Sequence, residues 1–160
     1  MSRFAAQTEV SSEKSRVEIE RIVQRYGADQ FMSGWQDDAA VVAFRMGARY
    51  VRFILPLPTK NERRFTHHSR GIRTPEAAVK EWEQAGRQRW RALALVIKAK
   101  LEAIVSGIST FDDEFLSNIV LPSGETAGQW LRPQIDEAYR LGTMPPLLPM
   151  LPPPDGGARG

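Results

Sequence analysis

Fourteen of the chain's 22 Lys and Arg residues fall between positions 45 and 100, where only 4 of its 19 Asp and Glu residues lie. Ten of those fourteen are arginine, whose planar guanidinium binds two phosphate oxygens at once. The rest of the chain holds 8 basic and 15 acidic residues, so a net charge of only +3 hides two opposed fields. The chemistry this composition suits is recognition of a polyanion, driven by counterion release from phosphate. The candidate contacts are Arg45, Arg49, Tyr50, Arg52, Arg63, Arg64, Arg70, Arg73, Lys80, Arg87, Arg91 and Lys98. Tyr50 and Phe65 add rings on which the bases of a single strand can stack. The competing reading is a solvated face, neutralised by acids elsewhere in the chain.

Other chemistry finds little support. His67-His68 is the sole histidine pair and has no Cys, Asp or Glu at ligand spacing. Asp112-Asp113-Glu114 resembles half of a two-metal site, but consecutive residues on a helix do not converge on one ion. No Gly-rich phosphate loop, serine elbow or kinase motif is present. The expectation is therefore a non-enzymatic protein with no catalytic residues, cofactor or metal.

These cations must be positioned by three kinds of element. Residues Gln30–Trp35, Ala40–Met46 and Arg49–Leu55 read as a β-meander, broken at Asp37-Asp38, at Gly47-Ala48 and by Pro56 and Pro58. Glycine in the first position of a two-residue loop suits a type II′ hairpin. With both loops two residues long, Phe31, Trp35, Val42, Phe44, Val51 and Phe53 share a core face. Met32, Gly34, Val41, Ala43, Arg45, Tyr50, Arg52 and Ile54 share the other. A connector, residues 56–74, is long for a compact domain and is read as mobile or functional. A helix precedes the meander, capped at Ser11 or Ser12, carrying Val17, Ile19, Ile22, Val23 and Tyr26, and stopped at Gly27.

Thr74 and Pro75 open a long helix that runs to about residue 106 and stops at Gly107. At 100° per residue, Val79, Trp82, Gly86, Trp90, Leu93, Ile97, Leu101 and Ile104 form one buried stripe. Lys80, Arg87, Arg91 and Lys98 form a narrow exposed row. Arg89 and Lys100 fall at the edge of the apolar stripe, where pairing with acids of the C-terminal helices or snorkelling is expected. A short helix begins after Ser109-Thr110, and a last one spans Thr126–Leu141, with Pro133 as a point of kink or restart. The predicted fold is α+β, one domain over residues 1–144. Residues 145–160, rich in proline, form an extended tail.

The totals exclude several classes. There is no cysteine, which removes disulfides, Cys-type zinc sites, iron–sulfur clusters and thiol nucleophiles. No apolar run reaches the ~18–20 residues of a membrane span. The opening MSRFAAQTEVSSEKSR lacks a signal-peptide core, so a cytoplasmic location is expected.

An α-β-β-β-α order invites comparison with PD-(D/E)xK nucleases and with double-stranded-RNA-binding domains. The third strand, RYVRFIL, has none of the acids a nuclease needs. The second helix opens PEAAVKEWEQ, without the RNA-binding lysines. The combination RYGADQFMSGW, RQRWRALALVIKAKLEAIVSGISTFDDEFL, LPSGET and MPPLLP resembles a family of small proteins encoded by tailed phages and prophages. That resemblance spans nearly the whole chain and implies action inside a bacterial host cell, on DNA or on a host protein. It assigns no activity and no site residue. The expected partner is nucleic acid, DNA ahead of RNA. The alternative is a protein-interaction module docking through its basic face, with PPLLPMLPPP as an extended ligand.

Overall fold

A computed structural model describes residues 3–143, with side chains from Ser12 onward. Helix α1 spans Arg3–Arg25. It starts well before the expected cap because RFAAQTEV, though lacking an apolar stripe, is rich in residues of good helix propensity. Ser12 is consequently buried inside the helix rather than capping it. Strands β1 (Ala28–Gln36), β2 (Ala39–Met46) and β3 (Arg49–Pro56) form an antiparallel sheet in that order.

Both hairpins have two-residue loops, since Gln36 pairs with Ala39 and Met46 with Arg49. Gly47 has φ 60 while Ala48 stays negative, the pattern of a type II′ turn. In the first hairpin Asp37 takes the same role at φ 54, a conformation that Asp tolerates better than most residues.

This register aligns Phe31 with Phe44 and Phe44 with Val51 on one face. That face carries the core. Ala40, Val42, Phe44, Val51 and Phe53 meet Ile19, Ile22 and Val23 of α1, and Trp90, Leu93, Ala94, Ile97 and Leu101 of helix α3 (Pro75–Val105). Phe115 of α4 (Phe111–Phe115) closes the cluster. Its ring stands edge-on to Phe44 and Phe53, with centroids 5.8 and 6.1 Å away. The opposite face leaves Met32, Tyr50 and Ile54 exposed. The architecture is α+β.

The connector is docked. Glu62 accepts from the Thr59 backbone N–H at 2.9 Å and precedes a one-turn helix, α2 (Arg63–Thr66). Strands β4 (His67–His68) and β5 (Gly71–Ile72) form a minimal hairpin. Phe65 is buried, and the Trp82 indole N–H donates to the Pro58 carbonyl at 2.7 Å, tying the segment to α3. Thr74 caps α3 by accepting from Ala77 N, and Gly107, at φ 80, follows its end.

A 3-10 turn, Leu116–Asn118, leads into a segment that covers the outer edge of β3. Val120 N donates to Tyr50 O at 2.8 Å, and Ile119 bridges to Val51. Helix α5 (Ala127–Leu141) opens with a Thr126/Gln129 capping box and runs through Pro133 without a break. Gly128 sits so close to the 3-10 turn that a Cβ there would lie 2.9 Å from Ser117 O. Within α5 no residue is fully buried. The Pro-rich tail expected over residues 145–160 lies outside the described residues.

Candidate nucleic-acid interface

The twelve candidate residues divide into two sets by what surrounds them. In the first set the chain itself engages the side chain. Arg45 grips Asp29 with two guanidinium nitrogens, Nε reaching Oδ1 at 2.8 Å, and lies 5.8 Å from the Tyr50 ring centroid. Its guanidinium holds the Asp29 carboxyl below the ordinary aspartate range, chiefly through that hydrogen bond. Arg49 makes a two-point contact with Asp112 at 3.1 and 3.3 Å, and lowers that carboxyl in the same way.

Arg52 donates to Gly124 O and Gln129 Oε1 at 2.8 and 3.2 Å, joining β3 to the start of α5. Arg64 pairs with Glu62 at 2.6 Å and lies over Phe65. Arg73 donates to the carbonyls of Arg64 and Phe65, which closes the connector on itself. Five of the proposed phosphate ligands thus already have anionic or carbonyl partners. Phe65 corrects the stacking expectation: at 4 % exposure its ring anchors the connector and presents no face to a base. Tyr50 stays half exposed.

In the second set the side chains of Arg63, Arg70, Lys80, Arg87, Arg91 and Lys98 are exposed and have no ion pair or hydrogen bond among the described residues. Arg63 and Arg70 belong to the connector. The other four run along one flank of α3. Arg89 and Lys100 part from this row, as their helical angle predicts. Lys100 donates to Glu114 O at 2.7 Å, with Glu114 Oε2 at 3.8 Å. Arg89 finds the Pro56 carbonyl at 2.6 Å rather than an acid of the C-terminal helices.

Helices α1 and α3 lie side by side and parallel. Lys14 and Ser15 share an open groove with Gln84, Arg87, Gln88 and Arg91, while twelve residues on, the Tyr26 hydroxyl donates to Glu102. Among the described residues that groove is lined by three cations and no acid. Lys14 is absent from the sequence-derived candidates because its place beside Arg87 depends on how two helices dock. The only local signal was its exposed side of α1, which Arg21 and Arg25 share at helical spacing.

The two sets do not converge. Arg45, Tyr50 and Arg52 point from the sheet face opposite the core, whereas α3 packs on the core face. His67 and His68 are used locally, His67 Nδ1 against Thr66 Oγ1 at 2.7 Å and His68 Nδ1 accepting from Arg70 N at 3.0 Å. Among the described residues no group of three His, Cys, Asp or Glu could hold a metal, and no helix is long and apolar enough to cross a membrane. Compared with family models, curated proteins and solved structures, the chain matches none.

Proposed function

We propose that this protein binds nucleic acid, DNA ahead of RNA, through the phosphate backbone, and performs no catalysis on it. The observation that carries the reading is the groove between α1 and α3, where Lys14, Arg87 and Arg91 meet with no acid among the described residues of the lining. Lys80 and Lys98 extend the row along α3. From Lys80 to Lys98 the helix rises ~27 Å, a length that spans about eight phosphates of one duplex strand. Such contacts position a backbone and carry little sequence information. The arginines held by Asp29, Asp112, Gln129 and the connector carbonyls serve the fold, and present the binding residues indirectly. The setting we assign, from the resemblance to tailed-phage proteins, is the cytoplasm of a bacterial host.

Fluorescence anisotropy with single- and double-stranded DNA and RNA, at two salt concentrations, tests the reading. Binding that weakens steeply with salt supports it; no binding at low salt ends it.

One observation favours a second reading, a protein-docking module. Helix α5 exposes Trp130 and Leu141 on one side and Ile135 and Tyr139 on the other, apolar side chains open to a partner. Under that reading a partner recovered from bacterial lysate stays bound after nuclease treatment, and is lost with Trp130→Ala.

A further inference from the structure

The sheet has one guarded edge and one open edge. Residues 118–120 cover β3, whereas no described residue donates to or accepts from the outer backbone of β1. Gln36 and Ala39 close a two-residue hairpin, and such a closing pair exchanges both ladder hydrogen bonds. Alternate residues therefore turn their N–H and C=O groups away from β2: Phe31, Ser33 and Trp35. Exposed edges are normally blunted by lysine, proline, a bulge or brevity. β1 is nine residues long, and from Gln30 to Gln36, QFMSGWQ has neither charge nor proline. Its irregularity is confined to the start, between Ala28 and Gln30. Met32 is 67 % and Trp35 37 % exposed.

We infer that β1 pairs antiparallel with β1 of a second copy, about a two-fold axis through Ser33, so that two sheets join into one of six strands. The edge is complementary to itself in that register. Phe31 falls opposite Trp35 of the second copy, an aromatic cross-strand pair. Met32 falls opposite Gly34, where nothing lies within 4 Å of the position a Cβ would take, so the long thioether side chain has room. Gln30 falls opposite Gln36 of the second copy, so the uncharged run from Gln30 to Gln36 pairs from end to end. A closed two-fold contact uses the same patch twice and leaves no free edge at that side.

Sedimentation velocity of the full chain over roughly 1 to 200 µM tests this, with affinities compared on the usual logarithmic scale. The expected result is a dimer that dissociates on dilution. Ser33→Pro removes an N–H that faces outward, which an edge strand tolerates, and should weaken dimerisation by about tenfold or more. Met32→Lys places a guarding charge at an exposed position and should do the same. Thermal melts of both variants verify folding, and if Ser33→Pro does not fold, Met32→Lys decides. A wild-type chain that stays monomeric throughout the range, or a dimer whose affinity a folded variant leaves unchanged, overturns the inference.

Discussion

Arg45 and Asp29 meet in a two-point contact at the irregular start of β1, and that contact turns a candidate phosphate ligand into part of the scaffold. Its consequence is a pH dependence of known sign. Asp29 and Asp112 titrate below the ordinary aspartate value of 3.8 because Arg45 and Arg49 hydrogen-bond their charged forms. A carboxylate lowered by folding stabilises above its unfolded pKa, and that stability is lost as pH falls through the folded value. The melting temperature should therefore drop between roughly pH 5 and pH 2. Asp29→Asn/Asp112→Asn should lie lower at neutral pH and converge on the wild-type curve in acid. Parallel curves would mean that the two pairs do not contribute.

The same distinction separates binding from folding. Arg87→Ala/Arg91→Ala should leave the melting temperature nearly unchanged and reduce the salt slope of double-stranded DNA binding by about 2, since each lost phosphate contact removes ~0.9. Arg49→Ala should do the reverse, lowering the melting temperature with no change in slope. Anisotropy titrations across a salt series, beside calorimetric melts, read both quantities. Equal slopes for all variants would show that the α1–α3 groove is not where phosphate binds.

Phe115 is wholly buried and touches Phe44 and Phe53 edge-on. Phe115→Ala removes a ring from the centre of the cluster and should cost about 3–5 kcal/mol, measurable by urea unfolding. A loss under ~1 kcal/mol would mean that neighbouring side chains collapse into the space.

Gly128→Ala tests the docking of α5. Alanine favours a helix by about 1 kcal/mol over glycine, but its Cβ would meet Ser117 O at 2.9 Å. Because the obstructing atom is backbone, the clash should prevail, with a net loss of about 1–3 kcal/mol and a change in Trp130 fluorescence. A stabilised variant would show that α5 can shift without cost.

What could be read from the chain was what is local. The turn at Gly47-Ala48 set two-residue spacing, spacing set the register, and register sorted Phe44 and Val51 from Arg45 and Arg52. The angular separation of Arg87 and Arg91 from Lys100 on α3 likewise needed only the helical period. The start of α1 is not legible in the chain, because RFAAQTEV has helix propensity without an apolar stripe. The two-residue strands of the connector are too short for any periodicity.

Above all, partners were invisible. Asp112 lies 63 residues from Arg49, and Lys14 reaches the Arg87 groove only through the docking of α1. A count of cations along the chain cannot tell those held by the fold from those left to solvent.

The parallel pairing of α1 with α3 also sets a clock. Tyr26 and the glutamate it bonds are 76 residues apart, so α1 leaves the ribosome long before its neighbour exists. At about 5–20 residues per second, synthesis imposes a wait of roughly 4–15 s. During it Ile19, Ile22 and Val23 have no helix to cover them. Until α3 is made, the face of α1 that it covers stays open, and in that interval the nascent chain is exposed to chaperones and to its own neighbours.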